Sequence, residues 1–179
     1  QLATLVEHPP AGDWHYEIKF DGYRMLARVE KGEVKLFTRN GHDWTAKLPE
    51  LAKAIASLNL ESAWLDGEVV VLDSEGVPSF QQLQQAFDAD KSGDIVFYLF
   101  DMPYLNGADL RNVPLQARRS ALKKVLNSTK NTVLRYSDDF AEDAASLLRS
   151  ACQMNMEGLI GKRAGSLYVS RRSDDWIKL

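Results

Sequence analysis

The sequence is short of cysteine, of long apolar runs and of positive charge, and each shortage excludes a class of protein. One cysteine, Cys152, excludes an internal disulfide and a cysteine-based zinc cluster, and is compatible with a reducing cytoplasm. The longest apolar run, residues 95–100, is too short for a membrane helix. Lys and Arg number 22 against 25 Asp and Glu, a net charge of −3. Any nucleic-acid role therefore depends on a local basic patch or on another domain, because wide phosphate contact requires basic excess.

The composition is otherwise that of an ordinary folded domain. Hydrophobic residues make up 45% and charged residues 26% of 179 residues, which excludes a disordered or low-complexity chain and favours one domain. Residues 1–4 carry neither an initiator methionine nor a signal-peptide pattern. We therefore expect residues 1–179 to be one domain cut from a longer chain.

Hydrophobic patterning predicts an α+β fold, with mostly antiparallel sheets and helices packed outside. The predicted strands are residues 14–18, 23–29, 34–37, 63–65 with 69–72, 95–100, 158–160 and 175–179. Helices are predicted to begin at Pro49, Ser79 and Pro114. A last helix is predicted to begin at Asp139, with Glu142 completing a capping box. The strand at 63–72 is expected to be interrupted at 66–68.

Two short segments carry reactive groups at unusual places. In the first, Lys19 ends a strand and is followed by Asp21 and Gly22. A lysine amine becomes a nucleophile only when its proton is lost, which burial or a nearby cation favours. A surface lysine before a turn is the alternative. In the second, Asp66 and Glu68 interrupt an apolar strand, where a carboxylate is costly without a partner. A β-bulge with solvated acids is the alternative, and the functional interpretation is a carboxylate offered to a sugar or a metal.

Six segments in order resemble the nucleotidyltransferase domain of ATP-dependent DNA ligases, and most resemble the ligase module of the bacterial end-joining ligases of the ligase D type. They are EIKFDGYR at 17–24, RNG at 39–41, DGE at 66–68, FYLFD at 97–101, EGLI at 157–160 and WIKL at 176–179. The resemblance covers nearly the whole chain. It implies the covalent nucleotidyltransferase fold and an enzyme that transfers AMP from ATP to a DNA 5′-phosphate for strand joining in double-strand break repair.

The resemblance also implies a role for each matched residue. Lys19 would attack the α-phosphate of ATP and hold AMP covalently, Phe100 would stack on adenine, and Glu68 would accept from the ribose. Alternation places Glu17 on the same strand face as Lys19, and the resemblance implies that it accepts from the adenine amino group. The remaining roles concern phosphate and metal: Arg24 and Arg39 for phosphate and ribose oxygens, Lys162 for a further nucleotide contact, Arg172 and Lys178 for phosphate charge, and Glu157 for Mg²⁺ or Mn²⁺.

Several alternatives remain open at this point. Phe100 could be only a core residue, and Arg172 a solvated surface charge. Arg171 competes with Arg172, because relatives often have Gly-Arg-Ser where this chain has Arg-Arg-Ser. The family's second lysine, two positions after Lys178, and its oligonucleotide-binding domain lie outside residues 1–179. Rival functions are a GTP-using RNA-capping enzyme, an NAD⁺-dependent ligase and a non-catalytic nucleotide-binding or docking module.

The resemblance implies partners as well. The full-length enzyme would bind nicked or broken duplex DNA, the end-binding protein Ku, and polymerase and phosphoesterase modules. It would act in the bacterial cytoplasm at the nucleoid, without a membrane, and residues 1–179 alone are expected to be a monomer.

Overall fold

A computed structural model describes residues 1–89 and 94–179, which form eleven strands and four α-helices. The strands are β1 (Leu2–Leu5), β2 (Trp14–Ile18), β3 (Tyr23–Glu30), β4 (Glu33–Thr38), β5 (Ser62–Val71), β6 (Ile95–Leu105), β7 (Ala108–Asp109), β8 (Leu134–Tyr136), β9 (Asp139–Phe140), β10 (Leu159–Arg163) and β11 (Arg172–Lys178). The helices are α1 (Pro49–Ala56), α2 (Phe80–Asp88), α3 (Leu115–Asn127) and α4 (Ala144–Gln153). Within these described ranges, no helix has the length and apolarity needed to cross a membrane.

The strands form two sheets, and most neighbouring strands are antiparallel. A five-stranded sheet has the order β1-β11-β10-β2-β9, in which only the β1–β11 pair is parallel. A six-stranded sheet has the order β4-β3-β5-β6-β7, with β8 added parallel to β6. Helices α1, α2 and α3 pack on the six-stranded sheet, and α4 packs on β10 of the other. The predicted α+β class with mostly antiparallel sheets and outer helices is therefore confirmed.

Each sheet has its own apolar core. The larger core lies between the six-stranded sheet and α1–α3, and includes Met25, Val69 and Leu99. The smaller core joins the five-stranded sheet to α4, and includes Tyr16 and Leu147. The sheet faces that carry neither core are left to supply the walls of a cleft.

The predicted start of the last helix is wrong. Asp139 lies in β9, paired with Glu17, and helix α4 begins after Asp143, whose carboxylate accepts from the Ser146 backbone N–H at 3.0 Å. Asp139 instead binds His15 and Arg119, at 2.8 Å and 3.2 Å. These distant partners outweigh local capping, because a charge-assisted hydrogen bond to a buried cation is stronger than one to a backbone N–H.

The predicted interruption of the strand at 66–68 is also wrong, although a register irregularity occurs there. Strand β5 is continuous from Ser62 to Val71, and its pairing with β6 shifts on both sides of Asp66. The extra residues lie on β6, so the alternation of β5 is undisturbed. Asp66 and Glu68 therefore face away from the larger core, which contains their neighbours Leu65 and Val69.

Gly22 fixes the spacing between β3 and β5. A Cβ at this position would overlap the Val69 carbonyl oxygen and lie 2.8 Å from Cγ1 of Val70. The glycine is therefore required by close approach of the β5 backbone.

We predict that Gly22→Ala lowers the free energy of unfolding by about 1–3 kcal/mol, because the added methyl overpacks this contact. The measurement is urea unfolding followed by circular dichroism. Gly76→Ala is the matched control: its Cβ would meet no atom within 4 Å, and only its left-handed φ of 80° resists the change. Equal or greater loss in Gly76→Ala would contradict the overpacking argument.

Candidate functional site

A cleft of about 550 Å³, including its open mouth, lies between the two sheets. Six of the residues predicted from sequence line it together: Glu17, Lys19, Arg24, Glu68, Phe100 and Lys162. The remaining walls are Ala3, Ile18, Phe20, Ile160 and Trp176.

Strand alternation delivers the side chains of the six-stranded sheet to this cleft. Arg24 on β3 and Glu68 on β5 are opposite each other in the strand pairing, and both line the cleft. Their neighbours Met25 and Val69 point the other way and are fully buried in the core. Since successive strand residues face opposite sides, one apolar pattern fixes both the core and the cleft.

Lys19 lies at the mouth of the cleft and forms an ion pair with Glu157. Its side chain is 24% exposed, and that of Glu157 is 45% exposed, so both can reach a bound ligand. The Lys19 backbone N–H donates to the Gly158 carbonyl at 2.9 Å, which joins the end of β2 to the start of β10. Gly158 has a φ of 150°, and its Cβ position overlaps the Leu179 carbonyl, so a side chain there would displace this junction.

Arg24 is held by the fully buried Asp66. Its Nε and Nη2 donate to the two Asp66 oxygens at 2.9 Å and 2.5 Å, and the Tyr168 hydroxyl donates to the same carboxylate at 2.7 Å. Burial alone would raise the pKa of Asp66, but the charge and hydrogen bonds of Arg24 hold the pKa below its usual range. The guanidinium is therefore fixed beside the Phe100 ring, 5.2 Å from its centroid.

Glu68 differs from Asp66 in having no such partner among the residues that the structure describes. Burial raises the pKa of the Glu68 carboxyl to about 8, with Arg24 opposing and Asp66 reinforcing the shift. Lys19 and Glu157 act on Glu68 more weakly, with opposite signs. Perturbed carboxylates of this kind are concentrated at functional sites.

Lys162 lies against the aromatic wall of the cleft. Its Nζ is 4.4 Å from the Phe100 ring centroid and 4.3 Å from that of Trp176, and it pairs with Glu17 at 2.6 Å. Burial lowers the pKa of Lys162, while the Glu17 charge opposes that shift. Phe100 meets Trp176 edge to face, with ring centroids 5.8 Å apart.

Besides Glu157, three predicted residues do not line this cleft. Arg39 is exposed and lines a neighbouring groove that Arg24 also reaches. Arg172 is exposed on β11, where Nη1 donates to the Ala3 carbonyl, and Lys178 is half-buried opposite Ile160. Their phosphate roles stay predictions, and Arg171, also exposed, remains an alternative to Arg172.

Sequence reasoning missed Arg119, which lies just behind the cleft wall. The guanidinium is almost fully buried and binds Glu17 at 2.8 Å and the Phe100 carbonyl at 2.9 Å. A signal for it was present in the sequence. Helix α3 carries an apolar stripe at Leu115, Leu122 and Leu126, and Arg118 and Arg119 fall on that stripe. Charged residues at core positions require buried partners.

The carboxylates at the cleft mouth suit a Mg²⁺-type ion. Glu157 and Asp21 line one groove with Lys19, and Glu157 helps burial to raise the pKa of Asp21. The described ranges contain no group of three or more His, Cys, Asp or Glu side chains that could hold a metal. Mg²⁺ is commonly held by one or two carboxylates together with substrate phosphates, so the donors present fit an ion that arrives with a nucleotide.

Comparison with known proteins identifies the class that this fold and cleft define. The family model described as the ATP dependent DNA ligase domain matches residues 1–179, so the chain belongs to that family. The resemblance seen in the motifs is thereby confirmed, as is the nucleotidyltransferase fold.

The particular relatives are end-joining ligases. Over all 179 residues the chain is 56% identical to the multifunctional non-homologous end joining protein LigD of Pseudomonas aeruginosa, and spans 21% of that protein. The ligase domain of M. tuberculosis LigD is 36% identical and superposes with a TM-score of 0.83 over 99% of this chain and 58% of that one. A mycobacterial DNA ligase D complexed with ATP and MES superposes at 0.81 with 35% identity, over 98% of this chain and 58% of that one.

We predict that Glu68→Gln stabilises the fold at alkaline pH. The folded-state pKa of about 8 lies above the ordinary value of 4.5, so the wild type loses stability as pH rises between these values. Glutamine cannot ionise, and the variant should therefore exceed the wild type by at least about 1 kcal/mol at pH 9, with the difference vanishing near pH 4.5. Urea unfolding across this pH range measures the difference. A difference that does not change with pH would show that Glu68 ionises normally in the folded protein.

Proposed function

We propose that residues 1–179 form an adenylation domain that charges Lys19 with AMP from ATP. The observation that carries the proposal is the position of the Lys19 amine at the cleft mouth. It is paired with Glu157, and the cleft beyond it is lined by Arg24, Glu68 and Phe100. A nucleophile, a phosphate-binding cation and an aromatic platform are the three groups that nucleotidyl transfer to a lysine requires.

In the proposed step, Lys19 Nζ forms a bond to the α-phosphorus as the bond to the bridging oxygen breaks. Pyrophosphate leaves with the electron pair, and the nitrogen loses its second proton to solvent. Before the attack, the ammonium of the ion pair must lose its first proton to become a free amine. Glu157 is the acceptor in contact with Nζ and can take that proton. Positioning and charge neutralisation supply most of the acceleration in phosphoryl-type transfer, and Arg24, fixed by Asp66, supplies a preorganised charge.

The nucleoside would lie deeper in the cleft. Phe100 would stack on adenine, Glu68 would accept from the ribose, and Glu17 would accept from the adenine amino group. Lys162, beside Phe100, would contact the nucleotide from the same wall. Glu157 and Asp21 would hold Mg²⁺ or Mn²⁺, which neutralises phosphate charge when bound with ATP. Arg39, Arg172 and Lys178 lie outside the cleft, and would act on DNA or leaving phosphates.

The wider activity is proposed from the relatives. Because the chain spans 21% of Pseudomonas LigD and 58% of the M. tuberculosis ligase domain, we propose that it works as the nucleotide-charging part of a longer enzyme. AMP would pass from Lys19 to the 5′-phosphate of nicked or broken duplex DNA, and a 3′-hydroxyl would then displace it. Ku and the other end-joining modules would be partners of the whole enzyme at the nucleoid, and this domain would act as a monomer.

We predict that the protein gains the mass of one AMP when incubated with ATP and Mg²⁺, and that Lys19→Ala does not. Lys19→Arg should also stay uncharged, because a guanidinium keeps its proton and offers no free amine. Intact-mass spectrometry measures the adduct, peptide mapping locates it, and a nicked duplex added afterwards should discharge it.

Lys123→Ala is the control, since Lys123 is exposed on α3 and pairs with Asp138 outside the cleft. An adduct mapped to Lys162 or Lys178 would contradict the assignment of the nucleophile. Charging by GTP in place of ATP would favour the capping-type alternative, and no adduct with either nucleotide would favour the non-catalytic module.

We also predict that Phe100→Ala weakens ATP binding by about 1–3 kcal/mol, which is the usual loss when the aromatic ring that stacks on a base is removed. Isothermal titration calorimetry of the uncharged protein measures it. Phe140→Ala is the matched control, because Phe140 lies exposed in β9 and does not line the cleft. Equal affinity of Phe100→Ala and wild type would leave Phe100 with a packing role only.

A further inference from the structure

Arg119 is the side chain that ties the cleft wall to both sheets. Its Nη1 donates to Glu17 Oε1 and to the Phe100 carbonyl, and its Nη2 donates to the Ser137 carbonyl at 2.7 Å and to Asp139 at 3.2 Å. Glu17 and Asp139 belong to the five-stranded sheet, while Phe100 and Ser137 belong to β6 and to the segment after β8. One guanidinium from α3 therefore fixes four positions that come from both sheets.

The acceptor capacity of Glu17 is nearly filled by these neighbours. An ionised carboxylate offers about four acceptor positions, two on each oxygen. Oε1 accepts from Arg119 at 2.8 Å and from Lys162 at 2.6 Å, and Oε2 accepts from the Ser137 hydroxyl at 2.7 Å. The donors in residues 1–89 and 94–179 therefore leave one acceptor position of Glu17 unfilled, and that position is on Oε2. Glu17 itself lines the cleft.

One remaining acceptor suits adenine and disfavours guanine. The six-position of adenine carries an amino donor, whereas that of guanine carries an oxygen acceptor. A carboxylate oxygen attracts the first and repels the second. The discrimination depends on the Glu17 carboxylate keeping its position, because a carboxylate that moved away from Arg119 would no longer present an unfilled acceptor position at a fixed place in the cleft.

We infer that Arg119 is a positioning residue that sets the base selectivity of the cleft, by fixing Glu17 Oε1 and the Phe100 carbonyl so that Oε2 remains as the acceptor for an adenine amino group. The inference rests on the proposed adenylation of Lys19 and deepens it. Arg119 does not itself line the cleft, so its effect passes through Glu17 and Phe100.

The neighbouring Arg118 provides a contrast within the same helix. Arg118 is fully buried and pairs with Asp101 at 2.8 Å, and its Nη1 donates to the Val113 and Ser166 carbonyls at 2.6 Å and 2.9 Å. None of these partners lines the cleft. Arg118 thus shares residue type, helix and burial with Arg119, but lacks its contacts with Glu17 and Phe100.

The test compares ATP with purine riboside triphosphate, which lacks the amino group at the six-position, as donors for charging Lys19. Arg119→Lys keeps the positive charge but loses the two terminal nitrogens that donate side by side. In this variant the KM for ATP should rise roughly tenfold or more, as expected when a charged hydrogen bond is lost. The KM for the analogue and the kcat with saturating ATP should change much less. Arg118→Lys should lower thermal stability while leaving the ratio of the two KM values unchanged, because Arg118 contacts neither Glu17 nor Phe100 and its partners do not line the cleft.

A second comparison uses Glu17→Gln alone and the double variant Glu17→Gln/Arg119→Lys. If Arg119 acts through Glu17, the two should have the same ratio of KM values. Asp139→Asn supplies a third, because Asp139 is 31% exposed and its loss loosens Arg119 with less risk to folding. That variant should move the ratio in the same direction, by about twofold or more.

A wild-type chain that neither nucleotide charges would refute the proposed function itself. A wild type that prefers ATP, with a ratio unchanged in Arg119→Lys, would overturn the role of Arg119 alone. Should Arg119→Lys fail to fold, Asp139→Asn decides: a reduced preference supports the inference and an unchanged preference overturns it.

Discussion

The buried ion pair between Arg119 and Glu17 is the interaction on which the cleft depends. Both side chains are almost completely removed from solvent, and burial of an unpaired charge costs several kcal/mol. The pair is tolerated because each terminal nitrogen of the guanidinium donates to one carboxylate and one carbonyl. Since those partners belong to both sheets, the energy that keeps Arg119 satisfied also keeps the two sheets in a fixed relation.

Charge in the cleft is arranged as ion pairs that differ in how deeply the carboxylate is buried. Asp66 is fully buried and holds Arg24, and Glu17 is buried and holds Lys162. Glu157 is the exception, because it is more exposed than Lys19, the residue it binds. The first arrangement suits cations that must stay in place for phosphate, and the second suits an amine that must exchange its partner. A net charge of −3 is therefore compatible with a site for an anionic nucleotide.

Sequence reasoning succeeded where local pattern and chemistry coincide. Alternation placed Glu17 and Lys19 on one strand face, and six of the nine predicted nucleotide-contacting residues, Lys19 included, line one cleft. It failed where a residue has a distant partner. Asp139 looks like a helix cap in sequence, and only the positions of His15 and Arg119 explain its place in a strand.

The sequence by itself determined the α+β class, the strand faces and the identity of the reactive groups, because apolar periodicity and side-chain chemistry are local properties. Tertiary structure alone decided the pairings. Glu17 and Arg119 are 102 residues apart, and nothing in either segment specifies the other. Their contact follows from the packing of α3 on the six-stranded sheet and from the register of β2 with β9. Together these bury both charged side chains at the same place, where each neutralises the charge of the other.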